Sequence, residues 1–96
     1  MPHYISLMRY TQKGLAEIKD SPARAKASAA RVAALGGHSV AIWLTMGTYD
    51  LVQVFEMPSD EAMMQYLLTA RADGYVEPLV LKALESDDMR TIIANN

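Results

Sequence analysis

Between His3 and Tyr10 the side chains alternate, Ile5 and Leu7 on one side and Tyr4, Ser6, Met8 and Tyr10 on the other, which is the two-residue period of a strand. Both sides are largely apolar. From Thr11 to Gly37 the period lengthens: Leu15, Ile18, Ala25, Ala29, Val32 and Leu35 recur at helical spacings, and Gly36–Gly37 supplies a stop. Pro22 interrupts this run. The sequence therefore predicts a short helix near 12–19 and a main one near 22–35, with Ser21 as N-cap and Pro22 at the first helical position.

Residues 38–46 (HSVAIWLTM) and 49–57 (YDLVQVFEM) are rich in β-branched and aromatic side chains, and Gly47-Thr48 between them reads as a two-residue hairpin turn. They are expected to pair antiparallel. Pro58 ends the second of them and Ser59 caps the next helix. Asp60 and Glu61 lie in that helix's positive first turn, and Ala62, Met63, Tyr66, Leu67 and Ala70 make its buried stripe. Gly74 closes it. The last strand spans Tyr75 to Leu84, with Pro78 arguing against a central position for its first half. Ser86-Asp87-Asp88 then caps a tail helix carrying Met89, Ile92 and Ile93.

The order β-α-β-β-α-β, with right-handed crossovers, predicts an α+β, ferredoxin-like sandwich: one domain over 1–96, a four-stranded antiparallel sheet, both helices on one face and a short C-terminal helix. Ile5 and Leu7 are expected to face those helices. Tyr4, Ser6, Met8 and Tyr10 are then expected on the open face, joined by Trp43 and Thr45 and by Leu51, Gln53 and Phe55. Four strands of ~7 residues cover on the order of 400 Å² at ordinary strand spacing. An apolar patch of that size needs a cover, and a second copy placed face to face through a two-fold axis is the economical one.

Length and composition narrow the function classes. Ninety-six residues leave room for one domain only, and 51% hydrophobic against 21% charged residues is an ordinary globular balance. Nine Lys+Arg against eleven Asp+Glu give a net charge of −2, so no summed field draws the chain to nucleic acid or anionic lipid. The absence of cysteine removes disulfides, thiolate nucleophiles and cysteine metal sites, and points to a cytoplasmic address. No apolar run approaches the ~20 residues that span a bilayer, so no membrane role is expected. Dinucleotide, P-loop, zincin and serine-hydrolase motifs are absent, and no cofactor or metal is expected.

Several segments together are similar to the GYD domain family, small bacterial and archaeal chains of the dimeric α/β-barrel group. They are PHYISLMRYTQKG at the start, IKDSPARA at the helix break, LGG at 35–37, TMGTYDLVQVFEMPSDE at 45–61 and LKALES in the last strand. The G-x-Y-D spacing is met by Gly47, Tyr49 and Asp50, with Thr48 between. The resemblance implies a ferredoxin-like subunit that dimerises through its sheet, and implies no activity. The G-x-Y-D hairpin alone is also similar to the effector-binding domain of leucine-responsive-type regulators.

The candidate chemistry is sparse, and each feature has a plain structural explanation beside the functional one. Asp50 either accepts backbone N–H groups at the hairpin mouth or, if buried without such partners, serves as a base or cation anchor beside the Tyr49 hydroxyl. His3 and His38 begin strands flanking a third, ~10 Å apart, too far for joint chelation unless the side chains converge. His38, Tyr49 and Asp50 are thus the catalytic candidates. Tyr4, Ser6, Tyr10, Trp43 and Gln53 are the ligand-binding candidates, as the aromatic and polar lining of a pocket between paired sheets for a small apolar or aromatic ligand. Pure packing of the dimer core accounts for the same residues. Three functions follow: a homodimeric small-molecule-binding or accessory protein; a cofactor-independent, monooxygenase- or lyase-like enzyme, by analogy of fold alone; or a structural oligomerisation module.

Overall fold

A computed structural model describes residues 1–96. The chain runs β1 (His3–Tyr10), α1 (Gln12–Ala16), a 3-10 turn (Ile18–Asp20), α2 (Ser21–Ala34), β2 (His38–Leu44), β3 (Leu51–Glu56), α3 (Asp60–Asp73), β4 (Val76–Ala83) and α4 (Ser86–Ala94). The sheet order is β2-β3-β1-β4 with every neighbour antiparallel. This is the expected ferredoxin-like α+β sandwich. β4 is an edge strand, which is where a proline such as Pro78 is tolerated. No helix is long and apolar enough to cross a membrane.

Local signals explain most boundaries. The Ser59 hydroxyl accepts from the Ala62 N–H 3.1 Å away and starts α3, which ends on Gly74 in the left-handed conformation. α2 departs from expectation at its start. Its cap is Asp20, without a side-chain bond, and Ser21 is its first helical residue, whose hydroxyl meets the Tyr10 hydroxyl at 2.6 Å. The β2–β3 connection is also longer than a two-residue hairpin, because β2 stops at Leu44 and β3 starts at Leu51.

The largest correction concerns which sheet face is covered. Tyr4, Ser6 and Met8 are buried, and Tyr4 joins Phe55, Val32, Met57, Met63 and Tyr66 in the core between the sheet and α2 and α3. Gln53 is buried on the same side, opposite Ser6, and Leu51 pairs with Met8. The face expected to be open is therefore the one beneath the helices, and Ile5 and Leu7 lie on the open side. The reason is steric and chemical. α2 presents small side chains, so large sheet residues fill the layer beneath it. The polar tips on that face also find partners: the Tyr4 hydroxyl donates to Asp60 on α3, and the Gln53 amide donates to Ser28 on α2 and to Ser39 on the neighbouring strand β2, each at 3.1 Å.

On the open side, Ala41, Val54, Ile5 and Leu81 form one row across the sheet. Trp43, Val52, Leu7 and Leu79 form the next. Trp43 is thus on the open face as expected, 54% exposed, and Leu79 and Leu81 are each 46% exposed. α4 buries none of its residues. The molecule is 49 Å along its longest axis and has a radius of gyration of 14.4 Å, against about 12.5 Å for a compact chain of this length.

The Tyr4–Asp60 bond makes stability depend on pH at both extremes. Burial, then the hydrogen bond to Asp60, push the Tyr4 phenol up from 10.0 to about 12. The Tyr4 bond, then that from Lys82, hold the Asp60 carboxyl below its ordinary 3.8. At high pH the folded chain keeps a proton that the unfolded chain loses. This contribution is therefore complete below about pH 10 and drains as pH rises toward 12. Denaturant midpoints should fall across that window, less steeply in Tyr4→Phe than in the parent. Parallel curves would show that the phenol is not the group concerned.

Candidate functional site

At the end of the sheet where β1 and β2 finish and β3 and β4 begin, the helices do not close completely. They leave a cavity of about 90 Å³ beneath α2 and α3. Met8, Ile42, Leu51 and Val76 give it an apolar floor. Its polar wall comes from α2, where Ser21, Arg24, Ser28 and Arg31 recur at three- and four-residue steps and so share one face of the helix.

These polar groups are held in place by one another. The Ser28 hydroxyl bonds the Tyr66 hydroxyl and accepts from Gln53. Burial raises the Tyr66 phenol above its ordinary value. Arg31 pairs with Asp73 at 3.1 Å across the gap between the two helices. Arg24 donates from Nη1 to the Glu17 carbonyl at 3.0 Å, and its guanidinium lies over the Tyr75 ring at 4.3 Å, as does the Lys13 ammonium. Tyr75 is fixed from behind by Gly14, where a Cβ would run into the Tyr75 carbonyl oxygen, so only glycine lets α1 approach β4 this closely. One atom of the set has no partner: Arg24 Nη2 is buried and makes no hydrogen bond.

The Gly47–Asp50 segment does structural work. The Asp50 carboxylate accepts the Tyr10 N–H at 2.9 Å, its own N–H donates to the Met8 carbonyl at 2.8 Å, and its carbonyl accepts from Thr45 N at 2.8 Å. Gly47, at φ +119°, turns the connection where a side chain would be strained. Arg9 donates to the Thr48 carbonyl at 3.0 Å and lies 5.2 Å from the centre of the Tyr49 ring. The segment thus ties the β2–β3 connection to the end of β1. A family model, the GYD domain, matches residues 4–93.

The chain belongs to the GYD domain family.

Among curated proteins there is no match to this GYD domain. Among solved structures, it is similar to TTHA0845 from Thermus thermophilus, at 19% identity and a TM-score of 0.56 over 90% of this chain and 96% of that one. That likeness concerns the fold.

The catalytic candidates are not brought together. His38 opens β2 and Asp50 lies beyond its far end, about 20 Å away along a seven-residue strand. His3 and His38 both pair with Glu56, from opposite sides of β3. His3 Nε2 reaches Glu56 at 3.3 Å and Glu85, just ahead of α4, at 3.4 Å. The ligand candidates divide between the two faces. Tyr10 and Gln53 line the helix-side cavity, Tyr4 and Ser6 are in the packed layer, and Trp43 is on the open face. Reading the sequence for apolar periodicity missed Arg24, Ser28, Arg31, Asp73 and Tyr75 as cavity residues and gave Tyr66 only as core. The available signal was the polar stripe of α2, visible only when its serines and arginines are counted instead of its alanines.

Asp50→Ala in this GYD domain should cost about 1.5–3 kcal/mol, the worth of a hydrogen bond to a charged group. Asp50→Asn should cost less, because an amide oxygen still accepts the Tyr10 N–H. Denaturant unfolding of both variants checks the order, and equal losses would contradict the anchoring role.

Proposed function

We propose that this GYD domain is a homodimeric small-molecule-binding protein that holds one ligand per subunit in the cavity beneath α2 and α3. The observation that carries the reading is the composition of that cavity. An apolar floor meets a few converging polar groups, held by their own hydrogen bonds, which is the usual make-up of a ligand site. About 90 Å³ accommodates roughly three waters or the head of a larger ligand.

The pairing surface is the opposite side of the sheet. Two faces of on the order of 400 Å² fall short of the ~1,200–2,000 Å² of a stable interface. The exposed apolar side chains of Leu84 and of Met89, Ile92 and Ile93 on α4 supply further area for a partner subunit. The lack of cysteine suits a reducing, cytoplasmic setting.

Native mass spectrometry of protein purified from its own source tests both parts at once. The expected spectrum shows a doubled subunit mass with a retained small adduct. A single subunit mass at micromolar protein would remove the dimer, and a dimer of bare subunits would remove the retained ligand.

A further inference from the structure

The cavity does not end at its apolar floor. It shares Tyr10, Ser21, Ala25, Ile42 and Leu51 with an open groove of about 300 Å³ that Ile18, Pro22 and Leu44 extend toward solvent. Leu44 is 76% exposed, and Ile18 and Ile42 are also exposed, although none of them is on the sheet's open face. A continuous depression thus runs from a cationic, hydrogen-bonding inner end to an apolar mouth.

Resting on the reading of the cavity as a ligand site, we propose that the ligand is a carboxylate with an apolar tail. Its head would sit on Arg24 and its tail along Ile42, Leu44 and Ile18. The inner end supplies the charge argument. Arg31 is neutralised by Asp73, whereas Arg24 faces only the Glu17 carbonyl and the Tyr75 ring and leaves Nη2 buried and unpartnered. A buried guanidinium nitrogen without an acceptor is costly, and a carboxylate oxygen removes that cost with a charge-assisted bond. One free nitrogen beside the Arg31–Asp73 pair suits a monoanion. A phosphate dianion would bring a second charge that no free cation in the cavity offsets. Nearby hydroxyls of Tyr10 and Ser21 offer the second carboxylate oxygen a donor.

Calorimetric titration of the full chain with hexanoate and with hexanamide, its uncharged counterpart, tests the assignment. Hexanoate should bind at least about tenfold tighter than hexanamide, the worth of one charge-assisted bond over a neutral one. Arg24→Met should remove that preference, bringing hexanoate to within about twofold of hexanamide in the same variant. Leu44→Asp, at the exposed mouth where folding is insensitive to the change, should weaken hexanoate by a similar factor and keep Arg24 intact. Equal binding of the two probes, or full hexanoate affinity in Arg24→Met, would overturn the carboxylate head while leaving the cavity as a site for neutral molecules. Binding of neither probe at millimolar concentration would overturn the proposal. The cavity reading would then stand or fall on the retained adduct in the native mass spectrum.

Discussion

Val52→Asp should leave the protein folded and monomeric, with the dimer dissociation constant raised at least about a hundredfold. Val52 stands in the middle of the open face, between Trp43 on β2 and Leu7 on β1. A carboxylate there can reach water in the single subunit, because Val52 is only part-buried by its own chain and no helix lies on this side of the sheet. In a face-to-face pair it loses that water beside apolar neighbours and lies near its own symmetry copy, and burying unpaired like charges costs several kcal/mol. Sedimentation at micromolar protein reads the subunit number, and circular dichroism checks that the sheet survives. Met64→Glu, on the exposed side of α3, is the control and should leave association unchanged. A Val52→Asp protein that still sediments as a dimer would place the pairing surface elsewhere, with the apolar flank of α4 as the next candidate.

The topology was legible because most boundaries had their own local signal. Ser59 with Asp60 and Glu61 starts α3, Gly74 stops it, and Pro22 forces the break that separates α1 from α2. The facing of the sheet was not legible for a physical reason. In β1, Tyr4, Ser6 and Met8 alternate with Ile5 and Leu7, and either set is apolar enough to be the inside. Alternation distinguishes two faces without naming them. What decides is the opposite layer. α2 presents Ala25, Ser28 and Val32 to the sheet, which leaves depth for Tyr4, Phe55 and Gln53 and a polar partner for the Gln53 amide. That information lies in long-range pairing between elements, not in the strand.

The same inversion explains why the ligand candidates scattered. Tyr4, Ser6, Tyr10 and Gln53 did share a face as expected, and Trp43 alone is on the other. Tyr4, Tyr10 and Gln53 bond to helix residues, so the polar-lined space is inside each subunit, and the middle of the open face keeps its two apolar rows. In the proposed reading, with association on the open face and binding in the cavity, the two are separable. A substitution on the open face can dissolve the pair and leave ligand affinity intact, whereas one at Arg24 can change affinity and leave the pair intact. The G-x-Y-D segment belongs to neither, since the Asp50 carboxylate and N–H hold the connection between β2 and β3 against β1 and its carbonyl closes the connection on Thr45.

Adjacent positions on β3 should therefore respond very unequally. Phe55 has no exposed surface, pairs with Tyr4 across the sheet and meets the Tyr66 ring at 5.1 Å in a tilted arrangement. Phe55→Ala removes that ring from the centre of the core and should cost about 3–5 kcal/mol, a large part of the roughly 5–15 kcal/mol that holds a domain of this size together. Val54 is one residue earlier and on the open face. Measured in the Val52→Asp background, where no partner covers it, Val54→Ala should cost well under about 1.5 kcal/mol, because its side chain is only part-buried by its own subunit. Denaturant unfolding of both variants in that background reads the two values directly. If Val54→Ala were the more damaging of the two, the helices would have to lie on the other side of the sheet, and the cavity lined by Gln53 and Arg24 could not exist as described.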